Sequence, residues 1–106
     1  MTEQEKLKSE ERARILKALA HPTRIFIAEK LNEKSRCVCE LTDMVQADTS
    51  TVSKHLSVLK NAGIIESRKE GTTVYYSLRC QCIMKFIGCI EQVIKMNLDK
   101  QQSILA

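Results

Sequence analysis

Asp48-Thr49-Ser50-Thr51-Val52-Ser53-Lys54-His55-Leu56-Ser57-Val58-Leu59-Lys60-Asn61-Ala62-Gly63 reads as a helix with two unlike faces. Asp48 or Thr49 is suited to cap the first turn, where backbone N–H groups have no helical partner. Gly63 is suited to close the far end, because glycine takes a left-handed cap without steric cost. Val52, Leu56 and Leu59 recur at helical spacing and form a buried stripe. The other side carries Ser50, Thr51, Ser53, Lys54 and Ser57, small donors plus one cation. Solvated helix faces ordinarily use Glu, Lys and Gln, which favour helix. Serine and threonine compete with the helix, but their short side chains allow close approach to a nucleic-acid groove. Composition alone fits an ordinary wet face equally well, so the neighbouring segments decide.

Upstream, Glu40-Leu41-Thr42-Asp43-Met44-Val45 reads as a brief helix and Gln46-Ala47 as a tight turn, which makes a helix-turn-helix pair. Downstream, the period changes from helical to alternating. Ile64 to Lys69 and Thr72 to Leu78 read as two strands around Glu70-Gly71, with Val74, Tyr76 and Leu78 alternating with Thr73, Tyr75 and Ser77. Arg68 and Lys69 make this hairpin cationic, and a cationic hairpin behind a helix pair is a wing able to grip phosphates. The predicted DNA contacts are therefore Thr49, Ser50, Thr51, Ser53, Lys54, Ser57, Arg68 and Lys69.

Residues 3–20 read as a first helix with Leu7, Ile15, Leu16 and Leu19 on one stripe. His21-Pro22 ends it, since proline disfavours helical geometry in the preceding residue. Pro22 then suits the first turn of a second helix bearing Ile25, Ile27, Ala28 and Leu31 and ending near residues 32–34. His21 is expected to be a cap or a satisfied boundary residue, not a base. Ser35-Arg36-Cys37-Val38-Cys39 reads as an extended connector. Residues 82–98 form a last helix with two adjoining apolar stripes. One holds Ile83, Ile87, Ile90 and Ile94; the other holds Cys82, Phe86, Cys89, Val93 and Met96. A surface that wide is shared with a second chain in so small a domain. The predicted fold is mostly α with a two-stranded β wing, one winged helix-turn-helix domain over 1–106. Segments 1–20 and 80–106 are read as dimerisation helices of a homodimer whose twofold axis suits two DNA half-sites.

The totals agree. The chain has 106 residues, 43% hydrophobic and 28% charged, and so is globular, with a net charge of +4 spread through interleaved acids and bases rather than a basic block. It has no apolar run long enough for a transmembrane helix and no signal-like start, so a cytoplasmic location is expected. Five cysteines are many for such a chain, and an odd count in a reducing compartment argues against a disulfide framework. Metal or metalloid binding, redox sensing, or burial as small hydrophobes remain.

Leu16-Lys17-Ala18-Leu19-Ala20-His21-Pro22-Thr23-Arg24-Ile25, Cys37-Val38-Cys39-Glu40-Leu41, Ser50-Thr51-Val52-Ser53-Lys54-His55-Leu56 and Gly71-Thr72-Thr73-Val74-Tyr75-Tyr76 together resemble the ArsR/SmtB family of metal- and metalloid-responsive repressors. The resemblance spans nearly the whole chain. It implies a dimeric repressor that leaves its operator DNA when an inducer binds, and His55 as a packing residue within the reading helix. Arsenite-sensing members often carry Cys-Val-Cys-Asp-Leu-Cys where this chain has Cys37-Val38-Cys39-Glu40-Leu41-Thr42, so threonine stands in place of the third thiolate. The zinc-type Asp/His set of the last helix is also absent; Cys80, Cys82 and Cys89 stand there instead.

Arsenite and antimonite form three-thiolate complexes, and Cd(II), Pb(II) and Zn(II) also take sulfur. Cys37 and Cys39, and likewise Cys80 and Cys82, are Cys-x-Cys pairs able to reach one ion, and a helix start at Cys39 would favour thiolate. Cys82 and Cys89 are about 10.5 Å apart along a helix, whereas sulfurs on one ion are at most roughly 4.6 Å apart. Pairing of the connector with the second wing strand would carry Cys37 and Cys39 toward Cys80. A mixed site of those three is expected, with Cys80, Cys82 and Cys89 as the rival. The predicted function is an operator-binding repressor released by arsenite, antimonite or another soft metal; the alternative is a redox or persulfide sensor on the same fold. An enzyme is not expected, since no Cys-x-x-Cys or evident base beside a nucleophile is present. A metal store would need neither wing nor reading helix.

Overall fold

The structure is a computed structural model and describes residues 1–105, with side chains through Ser103. The elements are α1 (Glu3–Leu19), α2 (Pro22–Glu33), β1 (Arg36–Cys37), α3 (Val38–Val45), α4 (Thr49–Asn61), β2 (Ile65–Glu70), β3 (Thr73–Leu78) and α5 (Cys82–Leu105). Ala106, the last residue of the segment assigned to dimerisation, lies outside the described residues.

The opening stretch folds as read. Asp48 caps α4, and the Thr51 N–H donates to its Oδ1 at 2.7 Å. At the other end Gly63 has φ +79°, its N–H donates to the Lys60 carbonyl at 2.9 Å, and the Ile64 N–H donates to the Leu59 carbonyl at 3.0 Å. That pair of bonds is the Schellman closure, which satisfies two carbonyls the helix leaves over. Val52, Leu56 and Leu59 are almost wholly buried, together with Leu19, Ile27, Ala28, Leu31, Leu41, Ile64 and Ile65. This core places α4 against α2 and α3 and leaves its polar face outward.

Several boundaries differ from the reading, and the last helix, α5, continues to Leu105, well beyond the expected end at residue 98. Helix α3 begins at Val38, two residues early, because Cys37 serves as its cap: the Glu40 N–H donates to Cys37 Sγ at 3.4 Å, and the Cys37 N–H donates to Glu40 Oε1 at 3.4 Å. This is a capping box with sulfur in the place usually taken by a hydroxyl. The wing turn comprises Gly71 and Thr72, one residue later than expected, since Glu70 still pairs with Thr73. Gly71 has φ +63°, as two-residue hairpin turns that start with glycine require. The connector does join the wing: β1 pairs with β3, and the sheet order is β1-β3-β2, all antiparallel. The wing therefore has a short third strand.

The radius of gyration is 16.8 Å, against roughly 13 Å for a compact chain of this length. The excess comes from α1 and α5, which reach beyond the core. Ile15, Leu19 and Ile83 pack on the core and Ile87 is buried, but Leu7 and Leu16 of α1 and Phe86, Ile90, Val93, Ile94, Met96 and Leu98 of α5 are exposed. Leu16, Leu19, Ala20, Ile25, Phe86, Ile87 and Ile90 line one apolar groove between these helices. No helix among the described residues is long and apolar enough to cross a membrane.

Candidate nucleic-acid interface and thiol site

Of the residues read as DNA contacts, Thr49, Ser50, Thr51, Lys54 and Ser57 are exposed on α4, and Ser53 is half-buried between the two faces. Ser50 Oγ donates to Asp48 Oδ1 at 3.1 Å. Hydrogen bonds from Thr51, then from Ser50, hold the Asp48 carboxyl below the ordinary carboxylate range, and the Lys54 charge adds to this. The first turn is thus tied to its own cap, while Thr49, Lys54 and Ser57 face outward. Arg68 and Lys69 are both exposed on β2. Arg68 pairs with Glu70 at 3.0 Å, a solvent-exposed pair of small net worth that a phosphate can displace. The polar helix face and the cationic edge of the wing thus both lie open to solvent.

His55 sits on the flank of the buried stripe, half-buried, with its ring 4.4 Å from the ring of His21. His21 caps α2, its Nδ1 accepting the Thr23 N–H at 3.1 Å, so it is the cap the sequence pointed to. Burial, and then the charges of His21 and Arg24, push the His55 imidazole below its ordinary range. With a depressed folded-state value, the unfolded chain binds more protons as pH falls. Stability is therefore full above about pH 6.5 and is lost as pH drops through the lower folded value. The thermal midpoint is expected to fall between about pH 7.5 and about pH 5.5, and to fall less in His55→Gln. Equal losses in scanning calorimetry would refute the assignment.

Cys37 is buried and Cys39 exposed, and their sulfurs are bonded to each other, with Cα atoms 5.4 Å apart. This single local bond is not the disulfide framework that the odd cysteine count argues against: the two cysteines flank the single residue Val38 at a helix start, where the chain turns and brings both sulfurs together. Cys80, Cys82 and Cys89 are free and exposed. The expected meeting of Cys37, Cys39 and Cys80 does not occur within the protomer. β1 does pair with β3, but Cys37 lies opposite Tyr75 and the strands are antiparallel, so the chain beyond Cys37 runs away from Cys80. Five residues from Tyr75 to Cys80 span on the order of 15 Å. Cys82 opens α5 and Cys89 follows two turns later, too far along an intact helix to share an ion, so the rival cluster does not form within one protomer either. Among the described residues no group of three or more His, Cys, Asp or Glu stands ready to hold a metal as the sulfurs are paired here.

One residue beside this pair carries no signal in sequence reading. Arg36 is 6% exposed. Its Nε donates to the Lys30 carbonyl at 3.0 Å, its Nη2 to Glu33 Oε1 at 2.9 Å, and its Nη1 stands 3.6 Å from Glu40 Oε2. It fastens the end of α2 to the start of α3, next to Cys37. Cys37, Val38 and Cys39 also line a shallow depression with Thr72, Thr73, Val74 and Tyr76 of the wing. The thiol pair thus lies where helix α3 and the wing meet. Thr42, at the position of the absent third cysteine, has a buried Oγ1 without a hydrogen-bond partner among the described residues.

Comparison with known proteins agrees with this geometry. The family of bacterial regulatory proteins of the arsR type matches residues 21–67, from the α2 cap to the start of the wing. An uncharacterized HTH-type transcriptional regulator of Methanocaldococcus jannaschii is 38% identical over 87 residues, which are 81% of this chain and 98% of that protein. A cadmium resistance transcriptional regulatory protein, a CadC homolog of Staphylococcus aureus, is 48% identical over 67 residues, 62% of this chain and 55% of the relative's length. Among solved structures, the homodimeric winged helix-turn-helix DNA-binding domain Mb0332 of Mycobacterium bovis, described as a possible ArsR-family regulator, superposes with a TM-score of 0.80 at 26% identity, covering 94% of this chain and 93% of that one.

Proposed function

Since the chain belongs to the arsR family of bacterial regulatory proteins, which are transcriptional regulators and not enzymes, we propose that it is a homodimeric repressor whose operator is released by a soft metal or metalloid at Cys37 and Cys39. The protomers join through α1 and the exposed face of α5, and each presents α4 and the wing to one half-site. Arsenite, antimonite or another thiophilic ion is the inducer. The observation that carries this reading is the position of the thiol pair: Cys37 caps α3 and pairs with wing strand β3. An ion drawn between two thiolates there opens the sulfurs to a wider spacing and moves the start of α3 relative to the wing. Both DNA-contacting surfaces are referenced to that junction, so the fit to two half-sites weakens by the coupling free energy, a loss of about 5- to 150-fold in affinity. The cadmium resistance relative supports a soft ion.

The Cys37→Ser/Cys39→Ser variant is expected to bind operator DNA like the unaltered protein and to respond weakly or not at all to arsenite or Cd(II) in a promoter-reporter assay. Full induction of that variant would remove the pair from the mechanism. A second reading follows from the bond between the two sulfurs. Here the dithiol gives two electrons and two protons to an oxidant or persulfide, and the disulfide form differs in DNA affinity. Response to oxidant alone, with no effect of any ion on the strictly reduced protein, favours this alternative.

A further inference from the structure

We propose that Glu40 is the third ligand of the Cys37/Cys39 site, so that the reduced chain binds a tetrahedral divalent cation, Zn(II) or Cd(II), in preference to arsenite. The inference rests on the reading of Cys37 and Cys39 as an ion-binding pair and names the class of ion.

Geometry argues for it first. Glu40 Oε1 lies 3.6 Å from Cys37 Sγ. A disulfide sulfur carries no proton, so this is not a hydrogen bond but a spacing. A Zn–S bond of about 2.3 Å and a Zn–O bond of about 2.1 Å at the tetrahedral angle place sulfur and oxygen about 3.6 Å apart. The carboxylate already stands where an ion on Cys37 would need it. The capping box holds it there, since the Cys37 N–H donates to the same Oε1 at 3.4 Å. The other oxygen, Oε2, faces the Arg36 guanidinium at 3.6 Å, and Arg36 is itself fixed by Lys30 and Glu33. One carboxylate oxygen is thereby turned to the sulfur and the other to a buried cation, the outer-shell arrangement that orients a ligating carboxylate.

The donor set then decides the ion. Arsenite is held most tightly by three thiolates in a pyramidal complex, whereas two sulfurs and one carboxylate oxygen, with water in the fourth place, suit Zn(II) and Cd(II). No third sulfur is near within the protomer, because Cys80 lies on the order of 15 Å away along β3 and the position of the missing cysteine is Thr42. With Cys37 and Cys39 bonded, neither is a thiolate and the site is closed. A dithiol reductant supplies two electrons and two protons to the S–S bond, which becomes two thiols while the reductant becomes its disulfide. The cation then displaces both thiol protons to solvent as the two M–S bonds form.

Glu40→Gln tests the assignment, since glutamine at this helix position preserves the capping box while removing the anionic oxygen. The full chain is reduced and kept anaerobic, and ZnCl2, CdCl2 and sodium arsenite are titrated separately against a competing chelator or dithiol. Glu40→Gln is expected to lose at least about tenfold in affinity for Zn(II) and Cd(II). Its thiolate-to-cadmium charge-transfer intensity should still correspond to two sulfurs, its metal-free circular dichroism should match the unaltered chain, and its weaker arsenite affinity should be unchanged. Unaltered Zn(II) and Cd(II) affinity in Glu40→Gln overturns the role of Glu40 and leaves the thiol pair standing. Equally tight Zn(II) and Cd(II) binding by Cys37→Ser/Cys39→Ser overturns the thiol pair and the inference with it.

Discussion

Glutamate at both Ile90 and Ile94 is expected to turn a dimer into a folded monomer and to cut operator affinity by at least about 100-fold. The two residues are one helical turn apart on α5, and they are 41% and 53% exposed in the isolated protomer. Ile90 lines the groove with Leu16, Leu19, Phe86 and Ile87, and Ile94 lies one turn further along α5. The protomer gains little from them on its own, so its fold should persist. In a twofold dimer each substitution occurs twice, which places four carboxylates in a desolvated interface without partners, and removing one partner of a buried ion pair already costs about 3–5 kcal/mol. Loss of the dimer separates the two half-site contacts, and the affinity gained by linking them is on the order of 10²- to 10⁴-fold. Sedimentation equilibrium and anisotropy of a labelled operator duplex report the two effects. A dimer that survives both substitutions would move the interface away from α5.

The second large effect separates the two faces of α4. Leu56 is 1% exposed and packs in the centre of the core. Leu56→Ala is expected to cost about 2–5 kcal/mol, a large share of the roughly 5–15 kcal/mol that holds a small domain folded. Ser57, next in sequence, faces outward, and Ser57→Ala should alter stability by no more than about 0.5 kcal/mol. Its effect falls on DNA instead, as does that of Lys54→Ala. If Lys54 meets a phosphate, Lys54→Ala reduces the slope of log affinity against log salt by about 0.9 per protomer. Urea denaturation and salt-dependent anisotropy check the pair. A Lys54→Ala variant with an unchanged salt slope and affinity would take α4 out of the interface.

The dual nature of α4 was readable because everything that defines it is local. The cap is an aspartate, the closing residue a glycine, and the stripe of Val52, Leu56 and Leu59 follows helical spacing. The width of the apolar surface on α5 was legible in the same way, and most of that surface is exposed in the protomer. The thiol site was less accessible to the same reasoning. Sulfur is not among the usual helix caps, so Cys37-x-x-Glu40 did not read as a capping box and α3 was placed two residues late. The pairing of the connector with β3 was foreseeable, but a two-residue strand has no alternation from which its course past Cys80 could be inferred. Arg36 shows the same limit: a basic residue in a connector reads as solvated, and only the arrangement of Lys30, Glu33 and Glu40 around it explains its burial.

In the proposed mechanism an ion at the reduced thiol pair releases DNA. Its most direct test is anisotropy of an operator duplex bound by the fully reduced protein while Cd(II), Zn(II), arsenite and antimonite are titrated in turn. Release is expected at about one equivalent of Cd(II) or Zn(II) per protomer and at higher concentrations of arsenite and antimonite, with affinity falling by about 5- to 150-fold, and no such release from Cys37→Ser/Cys39→Ser. Retention of the duplex at saturating concentrations of all four, alongside release by oxidant, would contradict it and assign the signal to the disulfide.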